Sequence, residues 1–218
     1  MLQQKQLPCS KCGEQSAVNV PISINIKENP SIKDKVKDGS LFIWECPHCG
    51  TRNLISSQVL YHDPDQHLMI WLVSKDSDLD NQMEKIEKAI SADEGLSHYT
   101  FRRVFDVGSL IEKVNIFDAG LDDTVIELCK WVTKQELAEK MLPEKARLVS
   151  DAPFKFYKIQ GPDNEIVMTY PFEGQMQGVE IGFNVYEDCA GIINRNPSIK
   201  PAGSFPIVDA SWVQMHIK

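Results

Sequence analysis

Four cysteines in two short motifs carry the clearest chemistry in this chain: Cys9-Ser10-Lys11-Cys12-Gly13 and Cys46-Pro47-His48-Cys49-Gly50. Two residues between paired cysteines let the backbone curl so that both sulfurs reach one ion. The glycine that follows, Gly13 or Gly50, supplies the positive φ that such a turn favours. Two motifs together give four thiolates, the donor set of a tetrahedral zinc site with sulfurs about 2.3 Å from the metal. The sequence therefore predicts Cys9, Cys12, Cys46 and Cys49 as ligands of one structural Zn2+. Redox and disulfide chemistry are the competing uses of such motifs. A thioredoxin-like motif normally stands alone at a strand-to-helix junction, and disulfides need an oxidising compartment to which nothing else here points. Four thiolates close the coordination shell, whereas a catalytic zinc keeps a position for water. Hydrolysis at this metal is not expected, and His48, flanked by better ligands, is read as solvent-facing.

The elements that must position these sulfurs can be traced along the chain. Between Cys12 and Cys46 lie 33 residues, longer than a finger spacing and closer to a zinc ribbon with an enlarged loop. Val18, Val20, Ile22, Ile24 and Ile26 alternate with polar residues and Pro21, which predicts one half-buried edge strand. Ser31 to Lys37 predicts one or two helical turns ending at Gly39. Leu41 to Trp44 is a strand delivering Cys46, Asn53 to Tyr61 continues the sheet, and Asp63-Pro64-Asp65-Gln66 turns into a central strand over 67–73. Leu79, Met83, Ile86 and Ile90 then form the apolar stripe of a helix, with Glu84 and Lys88 paired on its wet face. Phe101 to Asp106 is a strand. Ser109-x-x-Glu112 predicts a capping box for the next helix, Gly120 its end, and Thr133-x-x-Glu136 a break in the helix after that. Pro143 closes the segment. From about Ala146 strands return over Phe154–Ile159, Glu165–Tyr170 and Val179–Val185, followed by a short helix near Tyr186–Ile193 and an apolar tail. The fold class is α+β. A zinc-ribbon domain with mixed sheet and helices is predicted over 1–142, and a smaller α/β or β-rich region over 143–218.

Composition narrows the class. Apolar residues make up 42% and charged residues 25% of the 218 residues, ordinary for a soluble globular protein. No apolar run approaches the length needed to span a bilayer, and Met1 to Leu7 lack a signal-peptide core, so a cytoplasmic protein with no membrane partner is expected. Cys129 and Cys189 fit that reducing setting as small buried hydrophobes. The net charge is −8, with seven Lys/Arg against five Asp/Glu in residues 1–55 and 16 against 26 in the remainder. An acidic chain repels phosphates except at a local basic patch.

The paired motifs, with proline in Cys46-Pro47-His48-Cys49, resemble the bacterial and archaeal CpXC domain, named for its two Cys-Pro-x-Cys motifs. Arg103 to Asp106, Leu110 to Val114 and Gly120-Leu121-Asp122-Asp123-Thr124-Val125-Ile126-Glu127 are similar to that domain's C-terminal helices. The resemblance spans roughly 9–140 and departs from the pattern at Ser10, which replaces a proline that is not itself a ligand. It implies a ribbon fold and a metal, and it brings no reaction with it.

The remaining candidates are weaker. Nucleotide-binding glycine loops, a Gly-x-Ser-x-Gly elbow and His-Glu-x-x-His are all missing from the sequence. His62, Asp63, Asp65 and His67 surround one turn and could hold a hard cation or act as acid and base, though a proline-containing acidic turn is more often only a turn. Asp76, Asp78 and Asp80, and likewise Asp118, Asp122 and Asp123, are explained by helix capping. Trp44, Trp71 and Trp131 belong to apolar patterns and are expected in the core. The leading expectation is a non-enzymatic module that binds a protein partner as an adaptor or regulator. The alternative is a nucleic-acid-binding regulator using Lys5, Lys11, Lys33, Lys35, Lys37 and Arg52. The third is an enzyme centred on the His62–His67 turn.

Overall fold

Alternating apolar residues build three separate sheets in the N-terminal part, because turn-forming residues interrupt each run before it can lengthen. The computed structural model describes residues 1–74, 88 and 94–217. Apart from Lys88, which is helical, the helix expected over Leu79–Ile90 lies outside the described residues, as do the carboxylates Asp76, Asp78 and Asp80. The described chain is α+β, as its patterning predicts. It divides into two compact units, one of residues 1–111 with 202–206, the other of 112–201 with 207–218. The boundary expected at 142/143 falls between two helices that both belong to the second unit.

In the first unit, β1 (Leu2–Pro8) pairs antiparallel with β2 (Gln15–Pro21), and β4 (Ile43–Glu45) with β5 (Arg52–Leu54). A four-stranded sheet has the order β3-β6-β7-β8, formed by Ser23–Asn25, Val59–Asp63, Leu68–Leu72 and Thr100–Val104. The single strand expected through Ile26 is thus two strands: β2 ends at Pro21, where its partner β1 runs out at Leu2, and β3 restarts in a different sheet, parallel to β6. Asn53–Tyr61 is likewise split between β5 and β6. The strand expected from Leu41 begins instead as a 3₁₀ turn, Ser40–Phe42, after Gly39 at φ 77°. Helix α1 (Ile32–Lys37) precedes it and buries Val36. β7 is buried on both faces because residues 202–206 return to cover its outer side. Phe205 makes edge contacts with Trp71 and Phe101, and Arg103 N–H donates to Pro206 C=O.

The second unit wraps a three-stranded antiparallel sheet, order β11-β10-β9, with helices. β9 is Lys155–Gln160, β10 Glu165–Phe172 and β11 Gln175–Ile181. The chain enters through α2 (Val107–Asp118), α3 (Asp123–Glu139) and α4 (Pro143–Asp151), and closes with α5 (Phe183–Arg195) and α6 (Ala210–His216). Its core joins Ile126, Cys129, Ile166, Met168, Cys189 and Trp212. Both lone cysteines are buried, as expected. Trp44, Trp71 and Trp212 are buried, and Trp131 packs half-buried on the second core.

Three local expectations fail for identifiable reasons. Asp106, not Ser109, caps α2, accepting from Ser109 N–H at 2.8 Å and Ser109 Oγ at 2.7 Å. α3 runs unbroken through Thr133, whose hydroxyl donates to Cys129 C=O within the helix. Pro143 opens α4 rather than closing a segment, since proline at the first helical position loses no hydrogen bond. Asp122 does cap α3, accepting from Thr124 N–H at 2.7 Å.

Freed from capping, Glu112 has another role. It is 3% exposed and accepts from Lys130 Nζ at 2.8 Å, Lys155 Nζ at 3.0 Å and Phe156 N–H at 2.8 Å. Lys130 also reaches Glu127 at 2.6 Å, and Lys113 bridges Glu127 at 3.4 Å and fully buried Asp123 at 2.7 Å. Three ammonium groups and three carboxylates thus balance inside the second unit. Burial would raise the Glu112 carboxyl, but Lys130, Lys155 and Lys113 outweigh it and hold it at about 2.

Candidate metal centre

Each cysteine motif is the tip of a two-stranded hairpin, and the two tips are closed by the same pair of hydrogen bonds. Gly13 N–H donates to Cys9 C=O at 2.9 Å and Cys9 N–H to Glu14 C=O at 3.0 Å. In the second tip, Gly50 N–H donates to Cys46 C=O at 2.8 Å and Cys46 N–H to Thr51 C=O at 2.9 Å. Gly13 and Gly50 have φ of 76° and 68°, the left-handed geometry expected at both positions.

The four sulfurs converge. Cys9 Sγ lies 3.6 Å from Cys49 Sγ, Cys12 Sγ lies 3.7 Å from Cys46 Sγ, and all four lie within 4.8 Å of one another. A regular tetrahedron with metal–sulfur bonds of about 2.3 Å has edges of about 3.8 Å. The donor set therefore fits a four-coordinate metal ion in both chemistry and spacing. Cys9 and Cys46 are buried on Val18, Val20, Trp44 and Ile55, while Cys12 is exposed and Cys49 intermediate.

The electrostatics favour a cation among these sulfurs. The backbone N–H groups of Cys12 and Lys11 draw the Cys9 thiol down to about 6, and Thr51 lowers Cys49 through its hydroxyl and its N–H. At Cys12 the N–H of Glu14 also favours the thiolate, but water lost from around the sulfur of this otherwise exposed residue and the sulfurs of Cys49, Cys9 and Cys46 overrule it and push the group up to about 12. Crowded thiolates repel, so a cation is what lets all four ionise together.

Asn53 is the supporting residue that the sequence did not reveal. Buried on β5, it accepts from Ser10 N–H at 2.8 Å and Ser10 Oγ at 2.7 Å, and its Nδ2 donates to Thr51 C=O at 2.8 Å and faces Cys9 Sγ at 3.7 Å. One amide thus ties the two hairpin tips together. It also explains Ser10: a proline there would have neither the N–H nor the hydroxyl that Asn53 accepts. His48 is exposed, as expected.

The other candidate residues are placed differently. Asp63 is buried and bonded to Lys33 Nζ at 3.1 Å and Tyr61 OH at 3.4 Å. His62 Nε2 lies 3.1 Å from Tyr99 OH, and His67 meets the same ring edge-on. Among the described residues, the four cysteines form the only group of three or more His, Cys, Asp or Glu side chains placed to share a metal ion. Lys33 is held by Asp63, whereas Lys5, Lys11, Lys35 and Arg52 are exposed. No helix among the described residues is long and apolar enough to cross a membrane.

A family model described as CpXC protein matches residues 7–130, more than half of the chain. No curated protein and no solved structure matches. The match begins just before Cys9 and takes in both hairpin tips, and on that basis the chain belongs to the CpXC family.

Proposed function

We propose that Cys9, Cys12, Cys46 and Cys49 hold a structural Zn2+ and that the chain serves in the cytoplasm as a non-enzymatic protein-interaction module, an adaptor or regulator. The observation that carries this reading is the four-sulfur cluster itself. Its spacing suits a tetrahedral ion and its four ligands leave no position for water or substrate. Soft thiolates select zinc over magnesium or calcium. The ion's work here is to lock two short hairpins that bury little core of their own. The acidic chain supports a protein partner over nucleic acid. The competing reading draws on exposed Lys5, Lys11, Lys35 and Arg52.

The test is native mass spectrometry of the purified chain and of Cys46→Ser, with hydrogen exchange on both. One zinc per chain is expected, lost in the variant together with protection of β1, β2, β4 and β5. A metal-free chain with a fully protected ribbon overturns the proposal. Binding to DNA or RNA that falls steeply with salt and is lost on Lys35→Glu would favour the competing reading.

A further inference from the structure

The two cysteine hairpins carry strands whose outer edges have no strand partner among the described residues, and both edges open onto one groove. Among the described residues β2 pairs only with β1, and β4 only with β5. A groove of about 610 Å³ is lined by five consecutive residues of β2, Gln15 to Asn19, and by all three of β4, Ile43 to Glu45. Consecutive rather than alternate residues mean that the groove meets strand edges, because one face of a strand shows only every second side chain.

The register identifies which backbone groups point into it. Cys9 N–H donates to Glu14 C=O and Ile22 N–H to Met1 C=O, so the ladder to β1 uses the even-numbered residues of β2. Gln15, Ala17 and Asn19 turn their N–H and C=O groups outward. On β4, the bonds Cys46 N–H to Thr51 C=O and Ile55 N–H to Phe42 C=O leave Glu45 facing outward. An independent sign of a missing partner is the hydroxyl of Ser16. Ser16 lines the groove as a buried residue, and its hydroxyl oxygen, itself out of contact with solvent, has no hydrogen-bond partner among the described residues. Leaving such a group unpaired costs about 1–3 kcal/mol.

We propose that the groove between β2 and β4 receives an extended, basic peptide segment of a protein partner as an added strand. This rests on the interaction-module reading and names its site and the chemistry of its ligand. Outward main-chain groups of Gln15, Ala17, Asn19 and Glu45 bond the incoming backbone, as in strand addition to other sheet edges. Val18, Trp44 and Ile55 form an apolar floor for alternate side chains. The Glu45 carboxylate is exposed, enters no ion pair with another described residue, and selects a lysine or arginine on the opposite alternation. Pro47 and His48 of the second tip also line the groove, so the metal fixes the wall on which the peptide is read.

The experiment titrates the ¹⁵N-labelled, zinc-loaded full chain with the peptide Lys-Val-Lys-Val-Lys-Val-Lys and with its glutamate counterpart. The expected result is amide shifts centred on Gln15, Ala17, Asn19 and Glu45 with the lysine peptide, and at least fivefold weaker binding of the glutamate peptide. Two variants follow. Ala17→Pro removes one outward N–H without touching the ladder to β1, and proline is tolerated at such an edge. It is expected to weaken binding about fivefold, the loss of one main-chain hydrogen bond. Glu45→Lys is expected to abolish the preference for lysine. Shifts that are absent, that map elsewhere, that are equal for both peptides, or that appear on concentrating the chain alone overturn the assignment. Zinc content, read on the same samples, reports on the interaction-module reading separately: a zinc-loaded chain that ignores the peptide loses the groove and keeps the metal.

Discussion

Replacing Glu112 with glutamine tests whether the buried ion cluster is a keystone of the second unit. The substitution keeps shape and one acceptor for Phe156 N–H but deletes the charge shared by Lys130 and Lys155, 2.8 and 3.0 Å away. Three buried or half-buried ammonium groups then face two carboxylates. The magnitude follows from the titration of Glu112. A carboxyl moved from its ordinary 4.5 to about 2 contributes about 3 kcal/mol at neutral pH, at about 1.4 kcal/mol per pH unit. Breaking a buried pair by removing one partner costs about 3–5 kcal/mol by a separate line of experience. Glu112→Gln is therefore expected to destabilise the second unit by about 3 kcal/mol. The sign with pH is fixed as well. The unfolded chain takes up the proton first, so the contribution of Glu112 is complete above pH 4.5 and is lost as pH falls towards 2. The assay is urea unfolding read by pulsed hydrogen exchange of peptides from α3 and β10, at pH 7 and at several values down to 3. The wild-type curve should slope downward below pH 4.5, and the variant should lack that component. A loss below about 1 kcal/mol at pH 7, or an unchanged acid slope, would refute the reasoning.

Two further outcomes are expected. Asp106→Ala should cost α2 about 1 kcal/mol by thermal or urea unfolding, and Ser109→Ala clearly less, because the carboxylate is the acceptor that satisfies the N–H of Ser109; the reverse order would restore Ser109 as the cap. Gly50→Ala meets nothing closer than Glu45 Oε1 at 3.9 Å, so its cost is the backbone strain of φ 68° alone, about 1 kcal/mol and about a fivefold loss of metal affinity in chelator competition.

The four-cysteine cluster was legible because its chemistry is local: two residues between cysteines and a glycine after them already determine a turn that aims two sulfurs. Elements of strong period were legible for the same reason, among them β10 and the first half of α3, whereas the alternation over Val179–Val185 misled: β11 ends at Ile181 and α5 begins at Phe183. Asn53 was not, since nothing in Arg52-Asn53-Leu54 says that a side-chain amide will meet Ser10, 43 positions away. Glu112 was misread because Ser-x-x-Glu is a local signal, and a buried lysine cluster from α3 and β9 overrode it. The strand through Ile22 was misread because alternation reports which side chains are apolar, not which sheet they join. Pro143 shows the same ambiguity from the other side, as one residue type both ends and begins helices.

The return of residues 202–206 to the first unit sets an order of events during synthesis. Trp71 and Phe101 have left the ribosome long before Phe205, which covers them, has been made. At roughly 5–20 residues per second, the interval from Phe101 to Phe205 is about 5–20 s. Throughout it the outer face of β7 and β8 is an aromatic surface without its cover. The hairpins carrying the cysteines need no later sequence, so their four sulfurs can come together early while the adjacent sheet still waits. This division places the hazard of aggregation in the interval between the two events, when the aromatic face of the nascent chain is open.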